Sequence, residues 1–165
     1  MMSFIQTDTF LWQSIFYCLL ITLSMLPVGL VNPRMMLNSY PTEIRNAVSP
    51  LTQAERRQKI FFATPMLLVM IGYPVLVAWM YRPVDSEFEY FLFVIWGMML
   101  VFNLYDLIVL DWLLFCAITP NLIVIPGTKD HPGYKNYLFH FIGFLKGIFI
   151  TLFISAGLAG VLSLV

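Results

Sequence analysis

Four stretches of this chain are almost purely apolar, and its polar positions gather between them. The stretches are residues 10–31, 60–81, 88–110 and 138–165. Each reaches or exceeds the roughly 20 residues that an α-helix needs to cross the hydrocarbon core of a bilayer. The third can run on to residue 118 through Trp112, Leu113, Leu114 and Phe115. The fourth is longer than a crossing requires, which predicts tilting or an end outside the core. The pattern predicts an all-α integral membrane protein. It is a single four-helix bundle with two long loops, residues 32–59 and 119–137.

Local signals refine the helix ends. Ser49-Pro50 followed by Thr52 and Glu55 has the spacing of a capping box, so the second helix is expected to begin near residue 51, ahead of its apolar part. Pro65 and Pro74 fall inside that helix. Each removes a backbone donor and favours a kink. In the last helix, Gly143/Gly147 and Ala156/Gly160 repeat small residues four apart, a spacing that lets helices approach closely, within one chain or in a homo-oligomer.

Composition agrees with this class. Of 165 residues, 60% are hydrophobic and 11% charged, with a net charge of zero. Soluble domains are about a quarter charged. No basic stripe interleaved with aromatics is present, so a nucleic-acid partner is not indicated. The first apolar stretch lacks a basic start, since no Lys or Arg precedes Arg34, and it is longer than a signal-peptide core; it reads as a retained helix.

The basic residues also predict orientation. The loop 32–59 holds Arg34, Arg45, Arg56, Arg57 and Lys59, and the loop 119–137 holds Lys129 and Lys135. The short connection after the second helix holds Arg82 against Asp85, Glu87 and Glu89. Basic loops stay on the cytosolic side, which puts both chain ends outside, in a cell (inner) membrane protein. Trp12, Trp79, Tyr81 and Tyr90 are expected in an outer aromatic belt, and Tyr105, Trp112 and Tyr137 in an inner one.

The candidate chemistry lies in the second half. Asp106, Asp111, His140 and Lys146 are ionisable residues inside or beside apolar helices, and such residues point to function by default. At 1.5 Å per residue, Asp106 lies about 7–8 Å deeper than Asp111, and Lys146 about 9 Å deeper than His140. Depth therefore pairs Asp111 with His140 and Asp106 with Lys146, with Asn103 on the face of Asp106. The alternative is that these pairs only hold helix register. The run 122–125 is apolar and β-branched between Pro120 and Pro126. It is expected to re-enter the interface or to pair with an extended segment 34–40. Both loops together would then cap the cluster, with Arg34 or Arg45 lining a pocket for a lipid headgroup, a small anion or a protein partner.

Other chemistries find less support. His131 and His140 with the two aspartates form no short metal motif, and no cofactor motif stands elsewhere in the chain. Cys18 and Cys116 lie at different depths, which argues against a disulfide. Neither has a basic neighbour in sequence, and no nucleophile elbow is present. His131-Pro132-Gly133-Tyr134 resembles the His-Pro-x-Tyr element of the integral membrane methyltransferases that act on isoprenylcysteine and phosphatidylethanolamine, with Asp130 in place of the family's preceding arginine. That resemblance implies S-adenosylmethionine as cofactor; an enzyme acting on a lipid-soluble substrate would have His140 or His131 as acid–base. The expected functions are therefore a binding or accessory membrane protein, with membrane lipids as its surroundings, then a lipid-directed enzyme, then a transporter or channel subunit active as an oligomer. A polar stripe through the outer half of the bundle would favour transport.

Overall fold

The computed structural model describes residues 5–165 and is helical throughout, with no strand among the described residues. The helices are α1 (Thr7–Val31), α2 (Thr42–Asn46), α3 (Gln53–Met80), α4 (Phe88–Tyr105) and α5 (Tyr137–Leu162). Beyond Tyr105 the chain of α4 continues without a break as a π-helix, Asp106–Ile118. Four helical segments are long and apolar enough to cross a membrane: α1, α3, α4 with its π-helical extension, and α5.

The central element is α4. It packs against α1, α3 and α5, while α5 touches mainly α4 and the π-helix. Phe91, Val94, Ile95, Met98 and Met99 of α4 are buried with Tyr17 and Ile21 of α1 and Val77 and Ala78 of α3. The outward faces carry large apolar side chains such as Trp12, Leu68, Phe149 and Phe153.

The expected capping box is present. The Glu55 amide donates to the Thr52 hydroxyl at 3.2 Å, and the Thr52 amide donates to the Glu55 carboxylate at 2.8 Å. It starts α3 at Gln53, so the polar turn and the apolar span form one helix. Pro74 cannot bond to the Met70 carbonyl four residues back. The Tyr17 hydroxyl donates to that carbonyl at 2.7 Å, so the defect in α3 becomes a tie to α1. The ring of Tyr17 stacks on Tyr73, whose hydroxyl donates to Gln13; the Gln13 amide in turn donates to the Tyr81 hydroxyl at 3.2 Å.

Both long loops fold onto one end of the bundle. Residues Pro33–Ser39 form a 3-10 helix, not the extended segment expected for 34–40. Residues 120–125 form turns, and the expected pairing of 122–125 as a strand does not occur. With no extended partner beside it, the run instead buries its apolar side chains. Leu122 lies over Gly29 of α1, close enough that a Cβ there would meet it at 2.9 Å. Ile125 joins Leu37, Tyr40, Ile44, Phe115 and Tyr134 in a second core distinct from that of the bundle. Trp112 and Tyr137 meet at 6.2 Å, and Trp79 lies under the Arg82 guanidinium. Tyr90, expected in the outer aromatic belt, is instead buried. Cys18 and Cys116 are free and buried.

Candidate functional site

Beneath the loop cap is a cleft of about 400 Å³. One wall is α1 from Ile21 to Gly29, with Met66 and Met70 of α3 beside it. The cap contributes Pro33, Met36, Ser39 and Tyr40 from the first loop and Pro120, Leu122 and Ile123 from the other. The opposite wall is Phe102, Asp106, Leu110, Asp111, Leu114 and Phe115, with His140 of α5. The lining is mainly apolar. Its charged or titratable groups are two carboxylates, one imidazole and the Tyr40 phenol, and it includes no Lys or Arg.

The π-helix creates the acidic wall. On an α-helix, five residues at about 100° each would set Asp106 and Asp111 roughly 140° apart. The i→i+5 bonding of a π-helix places residues five apart one above the other. Asp106 and Asp111 accordingly line the same cleft. π-Helical turns are rare and concentrate at functional sites. The π-helix ends at Thr119, which adopts the left-handed conformation at φ 51° and donates its amide to Leu114 at 2.8 Å. Lys135 reaches the carbonyls of Cys116 and Ala117 and the Thr119 hydroxyl. A cation bonded to the last carbonyls is the favourable arrangement at a helix C-terminus.

Of the two expected acid–base pairs, one is present. His140 Nδ1 lies 2.8 Å from Asp111 Oδ1. The side chain of His140 is almost wholly buried, in contact with the rings of Phe115 and Phe139, and its Nε2 has no partner. In a neutral imidazole with its Nδ1 proton directed at Asp111, Nε2 would carry the lone pair. A carboxylate that orients an imidazole is also the arrangement of a general base. Here the nitrogen that would accept the proton is itself buried, which favours a positional role.

The second pair, Asp106 with Lys146, does not form. Lys146 is exposed on α5, and among the described residues the ion pairs are Arg34–Glu55 and Asp111–His140. Depth matched, but rotation about the helix did not. Asn103 of α4 fits against Gly147, where a Cβ would meet its side chain at 2.7 Å, and donates to the Phe144 carbonyl at 3.2 Å. That contact fixes which face of α5 meets α4. Lys146, about 100° around from Gly147, is turned outward. Gly147 is therefore used within the chain, whereas Gly143 and Gly160 stand open.

The arginines do not line the cleft either. Arg34 donates Nε to Glu55 at 2.7 Å and Nη2 to the Ser49 carbonyl at 2.9 Å, while Asn32 also donates to Glu55 at 3.3 Å. It ties the start of the first loop to the start of α3. Arg45 is exposed on α2 and contacts Thr42 at 3.3 Å. The basic loop that carries them suggests both as anion ligands; the capping glutamate claims the first, and the second is exposed and absent from the lining.

The His131-Pro132-Gly133-Tyr134 element is built into the cap. His131 Nδ1 accepts the Gly133 amide at 3.1 Å. A Cβ on Gly133 would meet Ile44 at 2.9 Å, so α2 can close on this turn only because a glycine stands there. The Tyr134 hydroxyl accepts the Ile125 amide at 2.9 Å and lies 2.7 Å from the Thr128 hydroxyl, which donates to the Ile125 carbonyl. Each hydroxyl has one proton. Thr128 uses its own on Ile125, so Tyr134 donates to Thr128. Burial, and Tyr134 beside it, push the Tyr40 phenol above its ordinary range, and the protonated hydroxyl donates to the Ile123 carbonyl at 2.7 Å.

What the arrangement offers chemically is an apolar cleft with an acidic wall. Among the described residues no cluster of three metal-ligating side chains is present. Comparison with known proteins finds no family model, no curated protein and no solved structure that matches the chain.

Proposed function

We propose that this chain is a multi-pass membrane protein, with both ends outside and the two capping loops in the cytosol, that binds a lipid-soluble molecule in the cleft beneath the cap. One observation carries the reading. A cleft of about 400 Å³, within the volume range of small-molecule sites, has mainly apolar walls from helices and two loops, with its carboxylates and imidazole on one side. The orientation rests on the seven basic residues of the two long loops against the single Arg82 of the short one. Binding is favoured over acid–base catalysis because the free nitrogen of His140 is buried. It is favoured over transport because the buried polar side chains elsewhere in the bundle either bond within the protein or, like Ser14, Tyr90 and Trp96, are closed in without a partner. Tyr17, Tyr73 and Gln13 bond within the protein, and the Tyr17 ring lies edge-on to Phe102 of the cleft wall at 5.7 Å.

Two experiments test this. With Cys18 and Cys116 replaced by Ser, single cysteines at Ser39 and at Asp85 are challenged with an impermeant maleimide in intact cells. Label at position 85 alone is expected; label at position 39 alone would reverse the orientation. Purified protein in nanodiscs is then extracted with organic solvent and compared with Met66→Trp, which fills the cleft. A small molecule that accompanies the wild type and is lost from the variant supports the reading. Identical extracts would refute it.

A further inference from the structure

We infer that the guest of this cleft carries a protonated amine, and that Asp106 is its counter-ion. The inference rests on the proposal that the cleft holds a guest, and it names that guest's head group. The Asp106 carboxylate lines the cleft and makes no hydrogen bond or ion pair with any described residue. The charged groups that act on it are Asp111 and His140. Two carboxylates and one imidazole share this wall, so with both acids ionised the wall stays negative whichever form His140 takes.

An uncompensated carboxylate between apolar helices is expensive. No Lys or Arg lines the cleft. Arg34 is held by Glu55, and Lys135 by the end of the π-helix. Lys146 faces outward from α5, and Arg45 outward from α2. The wall is also short of donors. An ionised carboxylate only accepts, and His140 spends its Nδ1 proton on Asp111. His140 lines the cleft, is 5% exposed and has its Nε2 unpartnered, so the imidazole supplies no hydrogen bond to Asp106. A wall made of acceptors is complemented by a group that brings both positive charge and N–H donors. The rest of the lining, Met25, Met66, Met70, Leu110 and Leu114 among it, suits an alkyl or aryl body. Methionine adapts to bodies of irregular shape. The ligand class is a lipophilic primary or secondary amine.

The test uses two probes of one chain length, dodecylamine and dodecanol, radiolabelled. Retention is measured at neutral pH on the full chain in phosphatidylcholine nanodiscs, with empty nanodiscs subtracted. Charge-assisted hydrogen bonds contribute about 1.5–3 kcal/mol, so dodecylamine should be retained about 10- to 100-fold more tightly than dodecanol. Asp106→Asn should bring the two probes level, Asp106→Glu should restore the preference, and Met66→Trp should abolish retention of both. Equal retention by the wild type, or an amine preference that survives Asp106→Asn, overturns the assignment of the amine while leaving the cleft as a site. Retention of neither probe above empty nanodiscs overturns the amine assignment and counts against the cleft reading as well.

Discussion

The cap and the cleft wall lie side by side, and they treat polar groups in opposite ways. In the cap, Arg34, Glu55, Asn32, Tyr40, Thr128, Tyr134 and Lys135 each have named partners, and the loops that carry them enclose a core of their own. In the wall, the half-buried Asp106 carboxylate bonds to no described residue, and the buried Nε2 of His140 has no partner. Buried polar groups in folded proteins are nearly always satisfied. The contrast therefore separates residues that hold the structure from residues held by it for something else. Sequence alone would rank the arginines and the His-Pro-Gly-Tyr turn with the aspartates as site residues. Their partners place them in the framework.

The comparison can be broken first at Tyr134. Tyr134→Ala removes a buried ring packed on Tyr40 and Phe115 as well as the hydroxyl that serves Ile125 and Thr128. It should cost about 3–5 kcal/mol, read by SDS titration in mixed micelles. Tyr134→Phe isolates the hydroxyl and should cost about 1–3 kcal/mol. A loss close to zero in both would mean that the cap does not stabilise the bundle.

Arg34→Met comes next. It leaves the Glu55 carboxylate without its cation and should cost about 1–3 kcal/mol. Combining it with Glu55→Gln should recover part of the loss, and strictly additive losses would deny the tie. Lys146→Met and Asp106→Asn, by contrast, should add within about 0.3–0.5 kcal/mol, because the two side chains do not meet. Strong coupling between them would restore the pair that their depths suggest. The smallest effect is expected of Asp106→Asn itself. With no partner to lose, unfolding should change by no more than about 0.5 kcal/mol, or the variant should gain stability. A loss above about 2 kcal/mol would place Asp106 in the framework after all.

Much of this architecture can be read from residues alone, because it depends on local or one-dimensional quantities. Helix number and length follow from apolar run length. The start of α3 follows from Thr52 and Glu55. The Asp111–His140 contact follows from depth, which is a count of residues. What could not be read depends on rotation. No residue pattern announces the π-helix, yet it alone turns Asp106 to the side of Asp111. The facing of α5 is set by Asn103 against Gly147, a contact between residues 44 apart in the chain. Without it, Lys146 looks like a partner for Asp106. The run 122–125 looks like a strand because Ile123, Val124 and Ile125 are β-branched, but Pro120 and Pro126 bracket it and nothing extended lies beside it. Arg34 looks like an anion ligand because its loop is basic. Glu55, already legible as a helix cap, is the residue that takes it.

The most direct measurement is photolabelling with a dodecylamine analogue that carries a diazirine on its tail, followed by peptide mass spectrometry. The account predicts adducts on cleft residues such as Met25, Met66 and Leu110, lost when Asp106 becomes Asn. Adducts confined to the outward residues Phe149 and Phe153, or cleft adducts indifferent to Asp106→Asn, would contradict it.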